Sequence, residues 1–213
     1  MKLLLSGGGD PNDVVALDTL FSSQIDKQKP VLYVPIAWDD DPTNTYMCCL
    51  DWFKQTFQPY GITNIELCAD LSNVGDMNKY TAVFIGGGNT YKLLKHIKES
   101  RFDVKLVEYL NSGGFVYGGS AGAIIFGSTI NTAEYADAND VGLTDFSGLN
   151  LVGGKDILCH YSPKDDDFIK RYPNDLYILY EESGLFVTDG GVEVVGKPYI
   201  NKCDITLFTQ RCK

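Results

Sequence analysis

Short apolar runs that end in glycine alternate along this chain with longer stretches whose apolar residues recur every three or four positions. The run KLLLSGGG predicts a buried strand. DPNDVVALDTLFSSQIDKQ opens with proline and asparagine, as helix starts do, and spaces Val14, Leu17, Phe21 and Ile25 along one face. PVLYVPIA predicts a second strand. DPTNTYMCCLDWFKQTFQPYG predicts a second helix, with Met47, Leu50, Phe53 and Phe57 on its apolar side and Pro59 and Gly61 marking its end. IELC and AVFIGGG predict further strands, the latter leading into a helix over NTYKLLKHIKES; SRFDVKLVEYLNSGG predicts another helix before the strand FVYGGS.

From about Leu149 the pattern changes to closely spaced strand candidates, LVGGKDILCHYS, LYILY, LFVTDGGVEVVG and ITLFTQ, with one helical piece around DDDFIKRY. TDGGVEVV carries a two-strand turn signal. Apolar runs that do not alternate with polar residues are what a parallel sheet covered on both faces requires, and alternating strands and helices point the same way. With no repeat, low-complexity tract or linker, residues 1–213 are expected to form one three-layer α/β/α sandwich around a mixed, mostly parallel sheet. Sites in such sheets form at the carboxyl ends of the strands.

Composition narrows the function classes. Of 213 residues, 44% are hydrophobic and 22% charged, the balance of an ordinary globular protein. A net charge of −10 argues against a nucleic-acid partner, whose phosphates it would repel. Lys92, Lys95 and Lys98 are spaced as the wet face of a helix. The six cysteines form no C-x-x-C pair and there are two histidines, so no metal is expected. MKLLLSGGGD is too short an apolar stretch for a signal peptide or a membrane span. A cytoplasmic chain with reduced, mostly buried cysteines and no membrane partner is the expectation.

Three glycine-rich turns follow strands: SGGGDPND, IGGGNTY and YGGSAGA. The first two lack the third glycine of a dinucleotide loop and the lysine of a phosphate loop, which argues against nucleotide binding. Gly7 to Gly9 are best accounted for by a sharp strand-to-helix turn. For Gly86 to Gly88, anion stabilisation by exposed backbone N–H groups is an equal reading. GGSAG, residues 118 to 122, satisfies G-x-S-x-G, with a strand before it and a small-residue helix start after it. That context favours Ser120 as a nucleophile over a packing turn, with the Ala121 N–H and the helix N-terminus aimed at charge developing beside it.

A serine needs a base. His96 lies among lysines on a helix and is expected at the surface, whereas His160 ends a strand run, which makes it the base candidate. The orienting acid is not chosen by pattern: Glu134, Asp137, Asp140, Asp145 and Asp156 precede His160, and Asp165 to Asp167, Glu181, Glu182 and Asp189 follow it.

GGGNTY, then GGSAGA some thirty positions on, then an isolated strand-end histidine: over nearly the whole chain this resembles peptidase E, the aspartyl dipeptidase family of serine peptidases that includes the cyanophycinases. The resemblance implies a class I glutamine amidotransferase-like fold and a cytoplasmic dipeptidase acting on short peptides, Asp-X among them, through an acyl-enzyme and without a cofactor. It implies Ser120 as nucleophile, His160 as base and then acid, and the N–H groups of Gly88 and Ala121 as the oxyanion hole. The acid matches Glu182 best, with Glu181 the neighbouring rival and Glu134 or Asp137 a further possibility. Asn89 and Arg171 are the implied substrate-binding residues, Lys164 and Lys170 being weaker substitutes for Arg171. The acidic surroundings of Arg171 in SPKDDDFIKRYPND oppose an acidic substrate. A monomer or a homodimer is compatible with this reading. Two alternatives stay open: an esterase with the order serine, acid, histidine, and a non-catalytic peptide- or protein-binding member of the fold. A glutamine amidotransferase is disfavoured, because that chemistry uses cysteine where Ser120 stands.

Overall fold

The computed structural model describes residues 1–38 and 45–201; the strand expected over ITLFTQ, together with Cys203 and Cys212, lies outside the described residues. The central sheet is built from β1 (Lys2–Ser6), β2 (Val31–Val34), β3 (Ile65–Leu67), β4 (Ala82–Ile85), β5 (Phe115–Gly119), β8 (Ser183–Thr188) and β9 (Gly191–Gly196). Their spatial order is β3-β2-β4-β5-β1-β8-β9. The pairs from β3 to β1 are parallel, and β8 and β9 close the far side antiparallel.

The inner strands read as unbroken apolar runs because both faces are covered. Leu3, Leu5, Leu32, Val34, Val83, Ile85 and Val116 enter one core with α3 (Thr90–Glu99), α4 (Phe102–Asn111) and α5 (Ala121–Ile124). Leu4, Val31, Tyr33, Ala82, Phe84, Phe115 and Tyr117 enter the other with α1 (Val15–Gln24) and α2 (Tyr46–Phe57). This second core is aromatic. Phe21 of α1 sits edge-on to Phe57, Phe84, Phe115 and Tyr117, with ring centroids 5.2 to 6.2 Å apart. Met47 departs from the expected buried face of α2: it is 55% exposed, and Cys49, one turn before Phe53, is buried in its place.

The central sheet is mixed and mostly parallel, as expected, but not every late strand joins it. β6 (Asp156–Leu158), β7 (Leu176–Ile178) and β10 (Ile200–Asn201) form a separate three-stranded sheet. With α6 (Asp166–Arg171) it encloses a small core of its own, Leu158, Ile169, Tyr172, Leu176 and Ile178. Short buried strands carry no mark of their pairing partner, so the pattern of the last third could not separate these from β8 and β9. Among the described residues no helix is long and apolar enough to cross a membrane.

Candidate active site

Ser120 stands between β5 and α5 at φ 51° and ψ −114°, a left-handed φ that a residue with a Cβ rarely adopts. The turn is held by the amides of Ala123 and Ile124, which donate to the Ser120 carbonyl, and by the Ser120 N–H, which donates to Ser6 O at 3.1 Å. The two glycines of the motif have a direct steric reason. A Cβ at Gly118 would overlap the Gly122 carbonyl, and one at Gly122 would overlap the Ile85 carbonyl, so α5 reaches the sheet only because both are bare.

His160 follows β6, also at positive φ (55°), its N–H donating to Gly7 O at 2.9 Å. Ser120 Oγ and His160 Nε2 are 2.8 Å apart, and His160 Nδ1 is 2.9 Å from Glu181 Oε1. A carboxylate only accepts, so Nδ1 carries the ring proton and Nε2 is left to accept from the serine hydroxyl. Both His160 and Glu181 are about half-exposed, and His160 lines the mouth of a cleft.

The acid at His160 is thus Glu181 and not Glu182. Glu182 turns away to Lys197 Nζ at 3.7 Å; the two glutamates are the central residues of the turn closed by the Ser183 N–H donating to Tyr180 O at 3.1 Å. Asp137 is engaged elsewhere, its Oδ2 accepting from the Thr90 N–H at the start of α3, and Glu134 is exposed in a 3-10 turn. The order along the chain is therefore serine, histidine, acid, which is not that of the esterase alternative. His96 is exposed on α3, as expected.

Two further expectations are corrected. The Asn89 side chain caps α3, accepting from the Lys92 N–H at 2.9 Å and donating to Ala138 O at 2.8 Å, so its amide is taken up by the fold. Arg171 ends α6 exposed, with Nε donating to Asp167 O, and does not line the cleft.

The backbone N–H groups of Gly88 and Ala121 donate to no backbone carbonyl among the described residues. Gly88 has φ 125° and no room for a Cβ against Ala37; at Gly87 a Cβ would lie 3.3 Å from Ser120 Cβ. Bare amides beside a serine can hold an oxyanion.

The SGGG turn, read from sequence as a packing turn, supports the whole site. A Cβ at Gly7 would overlap the Tyr180 carbonyl, one at Gly8 the His160 ring, and one at Gly9 would come within 2.9 Å of Glu181 Cβ. Cys159 lies beneath, with Sγ 3.7 Å from both Ser6 O and Ser120 O; burial pushes its thiol far up, so it stays neutral.

Ser120 and His160 open onto a cavity of about 590 Å³. Trp38 and Trp52, 44% and 43% exposed, form its rim. Phe57, Phe84 and Tyr117 form its buried floor with Asp18, a carboxylate from α1 that is 1% exposed. Tyr117 Oη donates to Asp18 Oδ1 at 3.1 Å, and Oδ2 has no partner. Burial raises the Asp18 carboxyl to about 7, against a smaller lowering by the tyrosine hydrogen bond. The signal was present in the sequence: Asp18 falls four residues after Val14 and three before Phe21, inside the apolar arc.

An α/β/α fold with a serine on a strained strand-to-helix turn, a histidine at its hydroxyl and a glutamate behind it is the layout of a serine hydrolase. Residues 3–195 match the model of peptidase family S51; the chain belongs to that family and is a serine-type peptidase. An uncharacterised peptidase of Listeria monocytogenes is 30% identical over 146 residues, covering 66% of this chain and 69% of that one. Peptidase E of Salmonella arizonae is 25% identical over 134 residues, 63% of this chain and 55% of its own length. In three dimensions the fold matches a Listeria monocytogenes protein assigned to peptidase E, with a TM-score of 0.75 at 24% identity over 92% of this chain and 98% of that one. It also matches a peptidase from an acI-B1 Actinobacterium, with a TM-score of 0.66 at 18% identity over 92% and 87% of the two chains.

Proposed function

We propose that this peptidase hydrolyses short peptides through a Ser120–His160–Glu181 triad and an acyl-enzyme. The observation that carries the reading is the continuous pair of contacts from Ser120 Oγ to His160 Nε2 and from His160 Nδ1 to Glu181 Oε1, 2.8 and 2.9 Å long. Ser120 Oγ attacks the scissile carbonyl carbon while His160 Nε2 takes its proton, and Glu181 holds the ring in the tautomer that permits this. The carbonyl oxygen becomes an alkoxide facing the N–H groups of Gly88 and Ala121. When the C–N bond breaks, His160 returns the proton to the leaving amine. Water, deprotonated by the same nitrogen, then releases the acid and regenerates Ser120.

Steady-state cleavage of a panel of free and blocked di- and tripeptides, Asp-X included, tests this. Ser120→Ala is expected to lower kcat by about 10³-fold or more, and Glu181→Gln by about 10²-fold or more. Glu182→Gln should stay within about twofold of the parent, its partner being Lys197. A well-folded parent that cleaves no peptide, or a Glu182→Gln loss larger than that of Glu181→Gln, overturns the assignment.

A further inference from the structure

The cavity beside Ser120 is built for something the triad does not need. Its rim and floor are aromatic; the histidine and the carboxyl among its lining residues are His160 at the mouth and Asp18 on the floor. Asp18 is 1% exposed and one of its oxygens is without a partner. Leaving a carboxylate oxygen buried and unpaired is costly, and a fold tolerates it where a ligand completes the pairing. Among the described lining residues no lysine or arginine faces Asp18, so an acidic substrate group would meet only another acid there.

We propose that Asp18 sets the specificity of this site, selecting peptides whose residue on the acyl side of the scissile bond has an apolar stem and a cationic head, as lysine and arginine do. This rests on the peptidase reading above. The stem packs along Phe57, Phe84 and the two tryptophans while the head reaches the floor, where the carboxylate supplies charge and the aromatic faces add cation–π attraction. Because the floor is sealed from bulk water, the pair forms at low dielectric, and an uncharged isostere of the same length leaves Asp18 unpaired.

The test has a binding arm and a turnover arm. Both tryptophans of the chain line the cavity, so their fluorescence reports its occupation. Hexylamine, hexan-1-ol and hexanoate are titrated into Ser120→Ala protein and into its Asp18→Asn and Asp18→Leu derivatives. The amine is expected to bind about tenfold or more tighter than the alcohol, with hexanoate weakest, and the amine's advantage should vanish in both Asp18 variants. In turnover, kcat/KM for a lysyl peptide should exceed that for its norleucyl isostere by about the same factor, and Asp18→Leu should equalise the two. Equal binding of amine and alcohol by the parent, or a lysyl-to-norleucyl ratio untouched in Asp18→Leu, overturns the inference while leaving the peptidase intact. Selective amine binding without cleavage of any peptide overturns the peptidase reading and, with it, the assignment of Asp18 to substrate selection.

Discussion

Two residues with side chains, Ser120 and His160, sit at positive φ in the site, and each is held by a carbonyl of the same β1 turn, Ser6 O and Gly7 O. Such conformations cost on the order of 1–3 kcal/mol each and persist only where neighbours over-determine them. Gly8 is the point of that support that meets the base, since its missing Cβ is where the His160 imidazole lies. Gly8→Ala is therefore expected to displace His160 and cut kcat by about 10²-fold or more, with the circular dichroism of the fold unchanged. Asp18 gives a prediction in stability. Its carboxyl is held at about 7 in the folded chain against 3.8 ordinarily, so between those values the folded protein keeps a proton that the unfolded chain has lost. Stability falls as pH rises through this window and is level above it. The titratable groups sharing the cavity are Tyr117, Tyr33, Cys48, Cys49 and His160, with Tyr60 beyond Tyr117. Asp18→Asn should flatten the decline, matching the parent near pH 4 and exceeding it by up to about 4 kcal/mol at pH 8, read from denaturant melts.

At the scale of elements, the strand–turn–helix unit β5–α5 is a close-packed device. α5 spans Ala121–Ile124 and contributes little side-chain volume; it brings its first amides to Ser120, and Gly118 and Gly122 let it lie against the sheet. Gly122→Ala pushes a methyl into the Ile85 carbonyl and should cost about 1–3 kcal/mol, seen as a lowered urea midpoint at constant m. Gly119→Ala is the control: nothing lies within 4 Å of the added carbon, and stability should change by less than about 0.5 kcal/mol. The small sheet of β6, β7 and β10 has a matching role. β6 ends two residues before His160 and β7 three before Glu181, so one element pair delivers the proposed base and acid to a serine carried by the other sheet.

For the whole molecule, the net charge of −10 bears on which substrates arrive. An acidic surface attracts cationic peptides and repels acidic ones, and salt removes both effects. With cationic side chains preferred, kcat/KM for lysyl peptides should fall as added salt shortens the Debye length from about 30 Å to about 10 Å, while that for norleucyl peptides stays level. A lysyl rate indifferent to salt would confine the electrostatics to the cavity floor.

The unbroken apolar runs of β1, β2, β4 and β5 and the amphipathic helices between them were legible because burial on two faces is written into every residue of a strand. Ser120 was legible for a related reason: a strained turn between a strand and a close-packed helix admits few residue types, so GGSAG states its own geometry. Glu181 was not. It and Glu182 are chemically the same and adjacent, and which of them meets His160 depends on the path of the chain between β7 and β8. Asp18 was legible in part: its place inside the apolar arc of α1 marks it for burial, but that Tyr117, Phe57 and Phe84 close over it beside Ser120 is a matter of tertiary contact. The sequence by itself determined the layers and singled out Ser120 and His160, through constraints local to a few residues. The carboxylate that meets His160, the work of the SGGG turn and the carboxyl on the cavity floor were decided only by the tertiary structure, because each depends on residues far apart in the chain being brought within contact distance.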